Sequence, residues 1–211
     1  MRFENGLRVA LGGFDLTHLP PETFPKLTVL DELLRHWSER LDLIGFKSDE
    51  ERIRRYFAEP LVASSWLRLE GRALDIGSGG GSPGLPFAIV SPELRWTLME
   101  PRRKKSLFLE EAIRELGLRN VSVVSRRFEA KAEERDLATI TIRGVRLSTP
   151  LQGAIADSLA GGGRFLWFSS GGRLRGEANA FGDRSKFLTE GPVRLLPRGR
   201  SFLLIAEKRF T

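Results

Sequence analysis

The stretch ALDIGSGGGSPGLPFAIV, from Ala73 to Val90, decides how the fold is read from the sequence. An apolar run carries one acid, Asp75, into a loop, and a second apolar run follows. The stretch holds five glycines and two prolines. Because glycine has no Cβ, such a loop lets the backbone come close to a ligand. A strand that leads through a glycine-rich loop into a helix is typical of a nucleotide-type cofactor site in an α/β protein.

From Ala73 onwards, β-branched apolar runs alternate with amphipathic runs. The pattern predicts strands in RALDI, RWTLME, VSVVS, ATITI and GGRFLWFSS, and helices in GLPFAIV, KKSLFLEEAIRELGL and PLQGAIADSLA. Two further strand-like runs flank PRGR near the C terminus and predict a hairpin. The fold class predicted is therefore α/β and Rossmann-like: a mostly parallel sheet, covered by helices on both faces, with a C-terminal antiparallel hairpin strand.

The first 70 residues have a different, helical pattern. Residues 1 to about 24 are punctuated by glycine and proline and are interpreted as a lead-in. Apolar residues then recur at three- and four-residue steps from Leu27 to Ile44, which predicts an amphipathic helix. A second helix is predicted from Asp49 until Pro60 interrupts it, and LVASSWLRL predicts a third. We expect two parts, an N-terminal helical segment (1–70) packed on a core domain (71–211).

Composition limits the classes of function. The chain has 211 residues, no cysteine and two histidines. These counts exclude disulfides and thiolate metal sites and argue against a Ser-His-Asp triad, and a reducing cytoplasm is the expected setting. No run approaches the roughly 18 apolar residues of a membrane span. The net charge of +7 favours a polyanionic partner such as RNA. We expect no metal, no membrane and a monomer.

Two cofactors fit the glycine loop. Gly79, Gly81 and Gly84 form the dinucleotide pattern G-x-G-x-x-G, with Glu100 about twenty residues further on. The second reading begins at Asp75, as D-x-G-x-G, and resembles the first motif of class I S-adenosylmethionine-dependent methyltransferases. The acid before the glycines favours the methyltransferase. Pro83 favours it as well, because proline offers no N–H to a pyrophosphate. The C-terminal hairpin also matches the methyltransferase sheet.

A longer match identifies a family. The string DIGSGGGSPGLP resembles the D-[VI]-G-[ST]-G-x-G-x-P-G-[IL]-P loop of the glucose-inhibited division protein B family, the ribosomal small-subunit methyltransferase G proteins. ELLRHWSERLDLIGF, LMEPRRKKSLFLEEAIRELGLRNVSVVSRRFE, TIRGV and GRSFLLIAEK resemble other family segments in order. The match covers about residues 27 to 209. The resemblance implies transfer of a methyl group from S-adenosyl-L-methionine to guanine N7 in small-subunit ribosomal RNA, on the free RNA or the small ribosomal subunit.

The resemblance also implies roles for individual residues. Cofactor-binding positions would be Asp75, Gly77, Ser78, Gly79, Gly81, Ser82, Glu100, Arg127, Phe128, Glu129 and Arg143. Within this set, the loop holds the methionine part, Glu100 the ribose, and residues 127–129 the adenine. Substrate-binding positions would be Arg143, Arg102 and Arg103. No catalytic base is expected, since guanine N7 already offers a lone pair in the plane of its ring.

The chain departs from the family on the substrate side. The family's H-x-x-D-S is here Tyr56, Glu59 and Pro60, and the lysine of its K-G pair is replaced by Ser170 before Gly171. These departures leave other functions open. The target could be another RNA or a small molecule, or the chain could be an RNA-binding module that has lost methyl transfer. An NAD-dependent oxidoreductase is the rival from another enzyme class.

Overall fold

The fold is a single twisted sheet with helices packed against it. The computed structural model describes residues 3–43, 45–129, 134–170, 186–197 and 199–210. Its helices are α1 (Phe3–Ala10), α2 (Thr23–Ser38), α3 (Asp49–Arg52), α4 (Glu59–Ala63), α5 (Gly84–Val90), α6 (Arg103–Glu115) and α7 (Thr149–Ser158). Its strands are β1 (Gly71–Ile76), β2 (Leu94–Met99), β3 (Val121–Val124), β4 (Leu137–Arg143), β5 (Leu159–Ser170), β6 (Phe187–Arg194) and β7 (Ser201–Lys208).

The sheet has seven strands in the order β3-β2-β1-β4-β5-β7-β6. Neighbouring strands from β3 to β5 pair parallel, whereas β7 pairs antiparallel with both β5 and β6. The predicted fold class is therefore confirmed, including the C-terminal hairpin. The strand order reverses between β1 and β4, and ligands of open α/β sheets bind beyond the carboxyl ends of the strands at such a point.

Apolar side chains fill both faces of the sheet. One core cluster lies between the sheet and helices α1, α2, α5 and α6, and includes Trp96, Phe87 and Phe168. The other cluster includes Trp167 and Ile155 and lies on the α7 side. The first cluster also contains Leu7, Leu27 and Leu61 from the N-terminal segment. The N-terminal helices thus share a hydrophobic core with the sheet.

The interpretation of residues 1–24 as a lead-in was wrong for its first half. Phe3–Ala10 is a helix, with Phe3 and Leu7 buried. The Phe3 ring packs edge-on against Phe57 at 4.7 Å between centroids. The next helix also differs from prediction, because it begins at Thr23 and ends at Ser38, while Ile44 lies outside the described residues.

The expected break at Pro60 was also wrong. Helical backbone continues from Asp49 to Ala63, through α3, a π-helical turn at Ile53–Ala58 and α4. Pro60 follows the π-helical turn directly, and the Tyr56 carbonyl, which the N–H of residue 60 would meet in an α-helix, accepts from the Ser82 hydroxyl instead. The predicted third helix is the end of α4 followed by a 3₁₀ turn at Ser64–Trp66. π-Helical turns within α-helices often occur at functional sites, and this one lies beside the glycine loop, which is described next.

Candidate cofactor and substrate site

The glycine loop lies between β1 and α5, at the carboxyl end of the sheet. Gly79 has φ +56°, and a Cβ built there would have as its nearest contact the Gly77 carbonyl at 3.8 Å, which leaves open space above the loop. At Gly84 a Cβ would lie 2.5 Å from Leu98 and 2.7 Å from Asp75, so only glycine lets α5 start this close to the sheet. The loop therefore combines tight packing below with free space above.

Backbone hydrogen bonds attach the start of the loop to β2. The N–H groups of Gly77 and Ser78 both donate to the Met99 carbonyl, at 2.8 and 3.1 Å. The Gly81 N–H donates to the Ser78 carbonyl at 2.7 Å. The Ser82 hydroxyl donates to the Tyr56 carbonyl of the N-terminal helical segment at 3.0 Å. The loop residues singled out in the sequence are thus brought together, next to the end of β2.

Asp75 lies beneath this loop, with 1 % of its surface exposed. Its Oδ1 accepts a hydrogen bond from the Thr141 hydroxyl at 2.7 Å. Its carbonyl accepts one from the Ser78 hydroxyl at 2.9 Å. Burial raises the pKa of Asp75 from 3.8 to about 6, although hydrogen bonds from Thr141 and Ser78 and the charge of Arg143 oppose the shift. In this position, Asp75 supports the loop from below.

Glu100 follows β2 and is 5 % exposed. Its Oε2 accepts a hydrogen bond from the Gly79 N–H, and its Oε1 accepts one from the Arg102 N–H, both at 2.9 Å. Each carboxylate oxygen has two lone pairs, so both keep capacity for a further donor. The carboxylate is thereby fixed at the rim of the glycine loop, where hydroxyl groups of a nucleoside can reach it.

The segment Arg127–Glu129 follows β3, at the same carboxyl edge of the sheet. Phe128 is half-buried against the second core cluster, and Arg127 and Glu129 are exposed. Arg102 and Arg103 are also exposed, at the start of α6, and Arg103 forms an ion pair with Glu110 at 3.2 Å. Glu100 and these five positions all lie at one edge of the sheet, because the parallel strands that precede them end there.

Arg143, at the end of β4, has its side chain only 15 % exposed. Its guanidinium donates to the Glu59 carboxylate at 2.7 Å, to the Arg55 carbonyl, and to the Ser82 hydroxyl at 3.3 Å. It also lies over the Phe168 ring, 4.3 Å from the centroid. Burial lowers the pKa of Arg143, and the Glu59 carboxylate opposes that shift. Arg143 therefore links the sheet, the loop and the N-terminal segment.

An open pocket of about 680 Å³ lies beside Arg143. Its walls come from the N-terminal helical segment, the ends of β4 and β5, and the turn before β7. Lining residues include Ser48, Arg54, Arg55, Glu59, Arg143, Val145, Trp167, Phe168, Ser169 and Arg200. This volume suits a nucleobase with its sugar. The pocket thus lies next to the loop, on the side of the family departures.

Sequence reasoning missed the part of Glu59 in this site. Glu59 is 1 % exposed, and an acid is rarely buried to that degree unless it is paired. The available signal was its position three residues after Tyr56 in a helical pattern, because residues three apart lie on the same face of a helix. Among the other departures, Tyr56 lies under the loop, whereas Ser170 ends the described part of β5 and Gly171 lies outside the described residues.

Two kinds of feature are absent from the part of the chain that the structure describes. Across the ranges given above, no group of three or more His, Cys, Asp or Glu side chains is arranged to hold a metal ion. None of the helices that the structure describes is long and apolar enough to cross a membrane.

Comparison with known proteins gives the same family as the loop motif. The family model for rRNA small subunit methyltransferase G matches residues 24–192. The ribosomal RNA small subunit methyltransferase G of Neisseria meningitidis serogroup B is 35 % identical over 127 residues, which cover 60 % of each chain. The protein of the same name from Chromobacterium violaceum is 36 % identical over 124 residues, covering 57 % of this chain and 59 % of the relative. The matched region thus spans about three-fifths of these relatives.

Solved structures share the fold at low sequence identity. A SAM-dependent O-methyltransferase from Thermotoga maritima superposes with a TM-score of 0.63 at 17 % identity, covering 85 % of this chain and 72 % of that one. A methyltransferase from Geobacter sulfurreducens gives 0.59 at 18 % identity, covering 91 % and 92 %. At these identities the likeness establishes the architecture, which is that of class I methyltransferases.

Proposed function

Because this chain belongs to the rRNA small subunit methyltransferase G family, we propose that it transfers the methyl group of S-adenosyl-L-methionine to guanine N7 in small-subunit ribosomal RNA. The observation that carries the proposal is the juxtaposition of two features at the switch point of the sheet. One is a glycine loop with open space above Gly79. The other is a pocket of base-plus-sugar size, bounded by Arg143 at the adjoining strand end.

The residues at the loop fit the cofactor. The space above Gly79 is open because glycine has no side chain, and a ligand can lie there. Glu100 keeps acceptor capacity for the ribose hydroxyls, and the segment Arg127–Glu129 would flank the adenine. The methionine part would lie along Gly77, Ser78, Gly79, Gly81 and Ser82, with Asp75 supporting that loop from beneath. When bound, the cofactor supplies an electrophilic methyl group on a sulfonium.

The chemistry asks the protein for positioning. Guanine N7 carries a lone pair in the ring plane, so no proton has to be removed before it attacks a methyl group. Holding the two reactants in line accounts for a large part of such a rate acceleration. The pocket walls can hold the base, and the buried pair of Arg143 and Glu59 fixes the wall nearest the loop. This mechanism requires no histidine or cysteine, and neither is among the described residues that line the pocket.

Basic residues around the pocket suit an RNA substrate. Arg54 and Arg55 line it, each in an ion pair with a glutamate four residues earlier that also lines it. Arg200 lines it as well, and Arg102 and Arg103 lie on the same edge of the sheet. Together with the net charge of +7, they would neutralise phosphates and release counterions. The substrate would be ribosomal RNA, free or in the small ribosomal subunit. We further propose that the protein acts as a monomer in the cytoplasm, which agrees with the absence of cysteine.

The proposal is tested with the purified protein, methyl-labelled S-adenosylmethionine and small ribosomal subunits from a strain lacking this protein. The labelled RNA is digested to nucleosides, which are then separated. We expect the label in 7-methylguanosine. Label in another nucleoside would keep the enzyme class and refute the target atom.

A binding measurement distinguishes the methyltransferase from an oxidoreductase and from a binding module. By calorimetry, we expect S-adenosylhomocysteine to bind and NADH not to bind; the reverse would favour an oxidoreductase. Binding of S-adenosylhomocysteine without label transfer to free RNA or subunits would favour a binding module that has lost transfer. Transfer to a different RNA or to a small molecule would favour a methyltransferase with another target.

A further inference from the structure

The helical run from Asp49 to Ala63 presents two backbone carbonyls to its neighbours, one to the glycine loop and one to the end of β4. In an α-helix, the N–H of residue 59 would bond to the Arg55 carbonyl, and that of residue 60 to the Tyr56 carbonyl. Here the Glu59 N–H donates to the Arg54 carbonyl instead, in the π-helical turn. Pro60 has no N–H to donate. Neither carbonyl therefore receives its α-helical hydrogen bond, and both can accept one from outside the helix.

One donor from β4 and one from the glycine loop bond to these two carbonyls. Arg143, from the end of β4, donates to the Arg55 carbonyl, and the Ser82 hydroxyl of the loop donates to the Tyr56 carbonyl at 3.0 Å. Two side chains of the helical run make further contacts, one as a donor and one as an acceptor. The Tyr56 hydroxyl donates to the Gly80 carbonyl at 2.5 Å, and the Glu59 carboxylate accepts from Arg143 at 2.7 Å. Four hydrogen bonds thus connect the helical run to the loop and its neighbouring strand.

The Tyr56 and Glu59 side chains that make two of these contacts are buried, which makes those two contacts costly to lose. Tyr56 and Glu59 are each 1 % exposed. Burial, followed by the negative charge of Asp75, raises the pKa of Tyr56, so its hydroxyl keeps the proton that it donates to Gly80. A buried carbonyl deprived of its donor cannot turn to water, and its desolvation is left uncompensated.

The loop needs such external fixing because of its composition. Residues 79, 80 and 81 are consecutive glycines, which have more backbone freedom than any other residue. Ordering that backbone at the moment of ligand binding would reduce affinity, whereas a loop already held in place avoids the loss. The Tyr56 hydroxyl holds the middle glycine of the three, and the Ser82 hydroxyl fixes the residue that follows them.

We propose that Tyr56 and Glu59 are positioning residues for the cofactor, Tyr56 acting through Gly80 and Glu59 acting through Arg143. The N-terminal helical segment is then part of the cofactor site, although it contributes through the loop and the strand end. This inference rests on the proposed function, because it assigns the loop to S-adenosylmethionine.

The test measures S-adenosylhomocysteine affinity by calorimetry and the kinetics of methyl transfer in single variants of the full chain. Tyr56→Phe keeps the ring and its packing but removes the donor to Gly80. We expect the Kd for S-adenosylhomocysteine to rise about tenfold, because the unbound loop can move to relieve the unpaired Gly80 carbonyl and must be ordered again when the ligand binds. The KM for S-adenosylmethionine should rise by a similar factor, while kcat at saturating cofactor changes about twofold or less. Ser82→Ala, which removes the neighbouring contact, should have the same pattern.

Conservative rescue tests the part of Glu59. In Glu59→Ala the buried Arg143 guanidinium loses its carboxylate, and cofactor affinity should fall by more than in Tyr56→Phe. Glu59→Gln retains an oxygen that accepts from Arg143, so its affinity should lie between those of Glu59→Ala and the wild type. Equal affinity in all three proteins would remove Glu59 from the proposal.

Ser91→Ala is the matched control. The Ser91 hydroxyl donates to the Phe87 carbonyl at 2.6 Å, at the far end of α5 from the loop. This variant loses that hydrogen bond and the one that the hydroxyl accepts from the Trp96 ring N–H at 3.0 Å, so it should lose thermal stability without losing cofactor affinity. Affinity reduced as much in Ser91→Ala as in Tyr56→Phe would mean a general loss of stability and would overturn the proposal. Unchanged Kd and KM in Tyr56→Phe would also overturn it, whatever the effect of Ser82→Ala. A wild-type protein that binds no S-adenosylhomocysteine would refute the proposed function itself.

Discussion

Asp75 is a buried acid that lies under the glycine loop. Its neighbours explain how a charge is tolerated there, since Thr141 donates to it at 2.7 Å and Arg143 lies near enough to favour its ionised form. Burial still prevails, and its pKa rises to about 6. The folded state consequently binds the proton more tightly than the unfolded chain, and an ionised Asp75 at neutral pH destabilises it.

This pKa predicts a pH dependence of stability. Between the ordinary pKa of 3.8 and about 6, the folded protein holds more protons than the unfolded chain, so the Asp75 contribution to the free energy of unfolding falls as pH rises. Across that window, the wild type should lose ~3 kcal/mol relative to Asp75→Asn, which has no proton to lose. Urea unfolding of both proteins at pH 4, 5, 6 and 7 measures the difference. Parallel curves for the two proteins would contradict the shift.

Gly79 is the residue at which binding can be separated from folding. Gly79→Arg should abolish S-adenosylhomocysteine binding, because its side chain would occupy the open space above the loop. Folding should survive, at a cost of roughly 1–2 kcal/mol for a left-handed residue. Gly117→Arg is the control, since Gly117 has φ +61° and equally open surroundings but lies before β3, at the opposite edge of the sheet. Calorimetry and thermal unfolding of both variants check this; unchanged affinity in Gly79→Arg would mean that the loop does not bind the cofactor.

At the scale of secondary structure, regular elements could be predicted and irregular ones could not. Helix α5 was predicted with its observed ends, Gly84–Val90, because a glycine loop and a following Ser-Pro bound it. Helix α1 was missed because FENGLRVA is short and contains a glycine, which makes such a helix marginal on its own. Tertiary contacts of Phe3 and Leu7 stabilise it in the folded protein. The π-turn was missed because a proline in a helical pattern normally predicts an end. Its carbonyl partners, Arg143 and Ser82, are distant in the sequence.

The core contacts of α1 can be tested within that one helix. Leu7 is fully buried, and Leu7→Ala should lower the free energy of unfolding by about 2–5 kcal/mol. Val9, two residues on, is 77 % exposed, and Val9→Ala should change it by less than about 0.5 kcal/mol. Chemical denaturation measures both. Equal, small effects would mean that residues 3–10 do not share the core.

At the scale of the whole molecule, one edge of the sheet collects the loop, Glu100, Arg143 and the pocket. The common location of these motifs was predictable, because each of them follows a strand and the parallel strands end at the same edge of the sheet. The pocket itself was not, since its walls combine the N-terminal segment with the turn before β7. The ion pair of Arg143 with Glu59 was equally hidden, because 84 residues separate its partners.

The charge distribution predicts how RNA binding responds to salt. Arg200 is exposed and lines the pocket, so Arg200→Ala should weaken binding of small-subunit RNA. Removal of one phosphate contact should reduce the slope of log K against log salt concentration by about 1. Arg119→Ala, exposed before β3 at the opposite edge, should leave affinity and slope unchanged. Filter binding at low and at physiological salt measures the affinity and the salt slope of both variants. Equal effects of the two substitutions would refute an RNA-binding surface at the pocket.

The most direct test of the central claim is made on ribosomal RNA from cells. Small-subunit RNA is purified from the source organism, from a deletion strain, and from deletion strains carrying either the wild-type gene or Gly79→Arg, and its nucleosides are quantified by mass spectrometry. We predict that 7-methylguanosine falls in the deletion strain, returns with the wild-type gene and does not return with Gly79→Arg. Unchanged 7-methylguanosine in the deletion strain would contradict methylation of guanine N7 by this protein.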